Sequence, residues 1–404
     1  MGETSGRIAM PWDDPRPSLP RHLYIHVPVC RSKCAYCGFY SCSDLGSGDH
    51  PRLVRHTLGL LRGWLIPEVR RAPLQTLYLG GGTPTVLGDE LVTLIKGVQA
   101  MVPFADDAEV TVEANPESLT PGLAESLADA GVTRVSAGVQ SLDDDALRRL
   151  GRRHDSASAL AALRCVAEAG MQPSADLMCG IPGVSADTWE RSLEGVVEAG
   201  AVHVSVYPLT VEQGTPLAAR IAAGTADAPD EDALVDGMDA AARSLGTLGF
   251  ERYEVANYAM PGHRSRHNTA YWTGRPYIGV GGGAHGMLDV AHARACTLAP
   301  DDGRDVARVR YSYVSDPFPG DQPSPLASLE LLTALDAARE DAMLGMRMTD
   351  GIDDGAAERA GVTDVMRSLA DDGLVSHDDG RWRPTARGWL LGNEVFGRIW
   401  NAGR

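Results

Sequence analysis

Six times between residues 23 and 248, a short run of β-branched and aliphatic residues is followed by a stretch with apolar residues at helical spacing. The runs read as strands at Leu23–Val29, Gln75–Leu79, Glu109–Glu113, Arg134–Val139, Ser174–Met178 and His203–Tyr207. The stretches read as helices at Leu53–Arg71, Gly88–Val102, Pro121–Ala130, Asp143–Leu150 with Ser156–Ala169, Asp187–Glu198 and Asp230–Leu248. Asp143 and the pair Thr120-Pro121 sit where N-caps belong. Alternating strands and helices imply a parallel sheet with right-handed crossovers. Six units suit a partial (β/α)6 barrel open on one side, although a doubly wound open sheet satisfies the same periodicity. In either fold, ligands bind at the carboxyl ends of the strands, so function is sought there.

The first strand runs into Cys30, Cys34 and Cys37, a Cys-x3-Cys-x2-Cys spacing. Three thiolates this close can each take one corner iron of a cubane cluster, leaving the fourth iron open to a small molecule. Zinc is the chemical rival, but it wants four ligands and usually paired Cys-x2-Cys elements, and the chain has no second pair.

The next strand ends in Gly80-Gly81-Gly82-Thr83-Pro84, which lets backbone approach a ligand closely; the Gly-Lys-Ser/Thr of a phosphate loop is missing. The third ends in Glu113-Ala-Asn115-Pro116, a carboxylate able to accept from ribose hydroxyls or an ammonium group. The fourth ends at Gln140, with Arg152 twelve residues on, and the fifth carries Asp176 before Gly180-Ile-Pro-Gly183. Each alone reads as a cap or a solvated polar residue. At successive strand ends of one fold they read as a ligand cradle.

The cysteine spacing after a strand resembles the radical S-adenosylmethionine superfamily. The ordered set YIHVPVC, GGGTP, EANP, GVQS, LGRRH, ADLMCGIPG and VYPLTVEQGTPL is similar to the oxygen-independent coproporphyrinogen III oxidase family and its relatives, the HemW heme chaperones, densely over residues 20–285. The resemblance implies a radical-SAM barrel, a [4Fe-4S] cluster on the three cysteines, and S-adenosylmethionine held by Tyr24, Gly81, Gly82, Thr83, Glu113, Gln140, Arg152 and Asp176, with Thr210 beside them. His26 shares a strand face with Tyr24.

Two features separate the relatives. The oxidase carries a fourth cysteine two residues after the third; here that position is Phe39, and Cys42 lies at a different offset. The sequence His267-Asn268-Thr-Ala-Tyr271-Trp272 is similar to the element associated with heme binding in the chaperones. Imidazole is a standard axial ligand of heme iron, and Tyr271 and Trp272 offer flat apolar surface. The expected function is a chaperone that binds heme and passes it to acceptor hemoproteins. The alternatives are radical decarboxylation of coproporphyrinogen III propionates, or another radical methylase or cyclopropanase on the same scaffold.

Beyond Tyr277-Ile-Gly-Val, a strand, three glycines lead to His285. Pro323-Ser-Pro325 reads as a linker, Leu326–Leu344 as a helix, and Met346-Arg-Met-Thr-Asp-Gly-Ile resembles the element opening the family's C-terminal domain. A helix at Val362–Asp372 followed by a small hairpin suggests a winged-helix-like module. The division expected is a flexible extension (1–20), the barrel core (21–250), a heme-site element and linker (251–323) and a C-terminal domain (324–404). A net charge of -17 over 404 residues argues against a nucleic-acid partner. No apolar run reaches membrane-spanning length, and seven cysteines with three clustered suit a reducing cytoplasm. The electron donor is not identified by any motif.

Overall fold

The computed structural model describes residues 19–321 and 324–403. Strands β1 (His22–Val27), β2 (Leu74–Gly81), β3 (Phe104–Ala114), β4 (Arg134–Gln140), β5 (Gln172–Cys179) and β6 (His203–Pro208) lie side by side in chain order, each parallel to the next. A doubly wound sheet would reverse its order at a switch point. This order does not reverse, and the partial barrel is the fold.

The sheet is wider than six strands. At the β6 edge, β7 (Glu251–Arg252) and β8 (Asn257–Ala259) add antiparallel. At the other edge, β9 (Tyr277–Val280) pairs parallel with β1. Then β10 (His285–Asp289), β11 (Arg308–Tyr313) and β12 (Leu326–Leu332) follow antiparallel, completing twelve strands among the described residues. Residues 251–323 thus contribute β7 to β11 to the same sheet.

Strand alternation sorts the two faces. Leu23, Ile25, Leu77, Leu79, Val110, Val112, Val135, Val204 and Val206 are buried in cores shared with Leu91 and Leu94 of the helix Asp89–Gln99 and Leu193 and Val196 of the helix Ala186–Glu198. The opposite face carries His22, Tyr24, His26, Thr76, Tyr78, Glu109, Glu113, Arg134, Ser136, Ser174, Asp176, His203 and Ser205. The barrel interior is therefore polar from floor to mouth.

Two expected helices differ. Leu53–Arg71 is two helices, His50–Trp64 and Pro67–Arg71, because Pro67 has no N–H to continue a helix and Ile66 before it is extended, at ψ 162°. Leu326–Leu344 is a strand followed by a helix: β12 pairs with β11 from Leu332↔Arg308 to Leu326↔Tyr313, and Thr333 caps the helix Ala334–Gly345 by accepting from Asp336 N. Leucines at 326, 329, 331 and 332 mimic helical spacing, yet the unpaired edge of β11 captures the segment. The extension at 1–20 falls outside the described residues but for Leu19 and Pro20, as does Pro323 of the expected linker.

Residues 342–402 have a core of their own, including Met346, Ile352, Met366, Leu369, Trp382, Val395 and Ile399. Its small sheet, β13 (Ile352–Asp353), β14 (Val375–Asp378) and β15 (Arg381–Pro384), is ordered β13-β15-β14, with the helix Thr363–Asp371 leading into the hairpin. Arg308 of β11 clamps this module to the barrel through Glu340 and Asp341, both at 2.7 Å. Among the described residues no helix is long and apolar enough to cross a membrane.

Candidate cofactor site at the barrel mouth

The cysteine loop is tied down where β1 ends. Cys30 N donates to Cys42 O at 2.9 Å and Cys42 N to Pro28 O at 2.6 Å, closing the loop on itself. Gly82 N donates to Val27 O and Thr83 N to Val29 O, fastening it to the end of β2. Ala35 N donates to Leu150 O, and Leu217 N to Ala35 O, holding its far side. The glycines serve this packing. A side chain on Gly81, at φ +101°, would strike the His26 ring at 2.3 Å, and one on Gly82 would strike the Val27 carbonyl at 2.6 Å. Gly81 to Thr83 therefore act first by docking the cysteine loop.

The three cysteines are half-buried and carry no disulfide. Burial raises the Cys30 and Cys37 thiols above their ordinary pKa, with Cys34 close enough to add to both. Arg152 sits behind Cys34: Nη1 donates to Cys34 Sγ at 3.3 Å, while Nη2 donates to Asn115 Oδ1 at 2.6 Å and to Gly138 O at 2.7 Å. Thr83 Oγ1 lies 3.6 Å from Cys30 Sγ. Among the described residues no three His, Cys, Asp or Glu side chains are gathered to hold a single metal ion. The donor set is three thiols on one loop with a guanidinium to offset thiolate charge, which fits a cluster that takes one thiolate per iron.

Deeper in the mouth stand two carboxylates. Glu113 accepts from Tyr78 Oη at 2.8 Å and from Gly81 N at 2.9 Å. Burial pushes its carboxyl up to about 7 in spite of those bonds, which pull the other way. Burial likewise pushes Asp176 up to about 6 against the hydroxyls of Ser205 and Ser136, the latter at 3.1 Å. Neutral donors alone leave such carboxylates costly to ionise, and a cationic ligand group, an ammonium or a sulfonium, would offset that cost. The pair fits S-adenosylmethionine. Tyr24 is on the same wall, its hydroxyl 3.0 Å from His26 Nδ1, and His26 Nε2 lies 3.1 Å from the Tyr40 carbonyl. Gln140 ends β4 at φ +66°, a left-handed backbone that a side chain rarely adopts. Thr210 is exposed on the loop after β6, its hydroxyl donating to Pro208 O at 3.4 Å. His285 is exposed at the start of β10 and lies close enough to His26 to act on its charge.

The element around His267 is elsewhere. It forms the helix Arg266–Trp272, which closes the barrel floor. The N-terminus of this helix is anchored by Glu109 of β3, which accepts from Arg266 N and His267 N, each at 2.9 Å. His267 is 1% exposed. Its Nδ1 is 2.7 Å from Thr76 Oγ1 and its Nε2 2.9 Å from Tyr271 Oη, while Tyr78 stacks on it with centroids 5.0 Å apart. Burial holds the imidazole well below its ordinary pKa, so it is neutral and able to ligate. Asn268 is half-buried, its N–H donating to Ser265 Oγ. Thr76 and Gly81 stand at opposite ends of β2, so roughly 16 Å of strand separates His267 from the cysteine loop.

Comparison with known proteins agrees with this architecture. Residues 24–196 match the radical SAM superfamily and residues 332–391 the HemN C-terminal domain. The heme chaperone HemW of Mycobacterium tuberculosis is 37% identical over 396 residues, spanning 96% of this chain and 97% of that one. The chain belongs to the HemW family. The Escherichia coli HemW is 37% identical over 277 residues, covering 68% of this chain and 72% of its own. In structure, coproporphyrinogen III oxidase from Escherichia coli superposes with a TM-score of 0.77 at 20% identity, over 96% of this chain and 91% of that one. Membership of the radical SAM superfamily implies a [4Fe-4S] cluster and S-adenosylmethionine as cofactors.

Several residues that shape the site carry no motif of their own. Tyr78 links Glu113 to His267, Ser136 and Ser205 hold Asp176, and Glu109 anchors the floor helix, while Asn115 of the EANP motif orients Arg152. Strand phase contains the signal for three of them: Tyr78, Glu109 and Ser136 alternate with Leu77, Val110 and Val135.

Proposed function

We propose that this chain is a heme chaperone, binding heme and transferring it to acceptor hemoproteins. Identity over nearly the whole length to a protein named for that activity carries the reading. Phe39, standing where the oxidase has a fourth cysteine, agrees with it. Cys30, Cys34 and Cys37 would hold the cluster, with Arg152 balancing its thiolates. Tyr24, Gly81, Gly82, Thr83, Glu113, Gln140, Arg152, Asp176 and Thr210 would surround S-adenosylmethionine, Glu113 and Asp176 facing its positive groups. The cluster, when bound, supplies an electron and an open iron.

Heme would be held at His267, Asn268, Tyr271 and Trp272. The donor chemistry fits: a neutral imidazole and two flat aromatic side chains, one of them with its indole turned to Glu254. Because Tyr271 occupies Nε2 and His267 is buried, ligation through that nitrogen requires the bond to break and the floor to open.

The test is anaerobic reconstitution followed by heme titration, then supply of coproporphyrinogen III with S-adenosylmethionine and a reductant. Heme is expected to bind with a Soret band that changes in H267A, and protoporphyrinogen is not expected at enzymatic turnover. Sustained turnover would install the oxidase reading instead.

A further inference from the structure

Where the floor helix meets the C-terminal module, the side chains of Glu254, Trp272 and Arg347 come together, Glu254 fully buried and the other two half-buried. Glu254 is 0% exposed, with the Trp272 indole and the backbone N–H groups of Ala256 and Asn257 directed at its carboxylate, whereas Arg347 Nε is buried without a hydrogen-bond partner. Trp272 closes the floor helix; Arg347 comes from the turn after the helix Ala334–Gly345. The Arg347 guanidinium lies over the Trp272 ring at 5.2 Å and over Phe396 at 4.3 Å. Glu254 is near enough to act on its charge but is not in ion-pair contact with it. Buried arginines ordinarily fork onto a carboxylate or phosphate, and one held between two aromatic faces with a free edge is poised to receive such a group.

We infer that Arg347, with Trp272, is the receptor for a carboxylate of the porphyrin ligand, so that the C-terminal module supplies part of the heme site. The inference rests on the heme reading above. Heme carries two propionates, and a flat macrocycle against Trp272 would bring a propionate within reach of the guanidinium stacked on that ring. The incoming carboxylate would give Arg347 the hydrogen-bonded counter-charge that Glu254 does not.

The probes are heme, heme dimethyl ester and iron-free protoporphyrin IX, titrated against the full-length protein by absorbance and fluorescence quenching. The unmodified protein should bind heme about tenfold or more tightly than the ester, the loss expected for one charge-assisted hydrogen-bonded contact. Protoporphyrin IX should show the same preference for acid over ester, since it bypasses iron ligation at His267. In R347Q the preference should vanish, and in R347K, which keeps the charge but loses the fork, it should fall partway. Equal binding of acid and ester by the unmodified protein overturns the inference even if R347Q does not fold, and so does a preference unchanged in R347K. Failure of heme itself to bind would instead overturn the heme reading, an outcome the ester comparison keeps separate.

Discussion

Tyr78 donates its hydroxyl hydrogen to Glu113 at 2.8 Å. This bond favours the ionised carboxylate, and burial opposes it, leaving the carboxyl near about 7. A ligand that presents a positive group to Glu113 binds best to the ionised form. Affinity for S-adenosylmethionine should therefore rise as pH increases through the range around 7. In Y78F the carboxyl loses a donor and the rise should move to higher pH, while the ring still stacks on His267. Calorimetric titration across pH checks this; superimposable profiles for the two proteins would show that the bond does not tune the site.

Stability should depend on pH in the same window, with the opposite benefit. Burial raises Glu113, Asp176 and Glu254 to about 7, 6 and 7, from ordinary values of 4.5, 3.8 and 4.5. Between these limits the folded chain holds more protons than the unfolded one, so ligand-free stability falls as pH rises from about 4 to about 7 and then levels. E254Q removes one of the three ionisations without changing shape. Its melting temperature should exceed that of the unmodified protein at pH 8 and approach it at pH 4. An equal offset at both pH values would mean that packing, not ionisation, sets the cost.

Cys42 braces the cluster loop through its backbone, and its thiol lies 3.2 Å from Tyr40 Oη. C42S should retain iron–sulfur absorbance at the level of the unmodified protein, whereas C30A, C34A and C37A should each lose it. R152Q should assemble the cluster and release it faster, since the guanidinium next to Cys34 is gone. Loss of the cluster in C42S would make the ligand set larger than three.

The barrel was legible because its determinants are local: each strand, helix and cap is written within ten or fifteen residues, and Thr120 and Asp143 cap as their positions imply. The strand β12 was not, since its seven residues read equally well as helix and only the open edge of β11 decides. The mouth was legible in the same way, through polar residues at strand ends. The relation of the floor to the mouth was hidden, because His267 lies 191 residues from Thr76 and no local pattern records that contact. The rest of the polar wall between them, Tyr78 and Ser136, lacks any motif and appears only once register places the strands beside Tyr24.

The clamp between β11 and the C-terminal module sets a scale for ion pairs in this chain. Arg308 is 6% exposed and Glu340 5%, whereas Arg52 and Asp321, paired at the same 2.7 Å, are 56% and 55% exposed. Removing Arg308 strands Asp341 in a dry interface, while Glu340 keeps Arg310 at 2.6 Å, a loss toward the lower end of about 3–5 kcal/mol. Removing Arg52 returns Asp321 to water and should cost less than about 1 kcal/mol. Burial pushes Asp341 up to about 6 even with Arg308 present, so without the guanidinium it should protonate more readily and the R308A defect should shrink in acid. Denaturant titration of R308A and R52A at pH 8 and pH 5.5, with limited proteolysis of the C-terminal module, reads all three effects. Comparable losses in the two variants would show that the module is held by the Arg310–Glu340 pair and the aromatic contacts of Arg252 on Trp389 and Arg347 on Trp272, and not by Arg308.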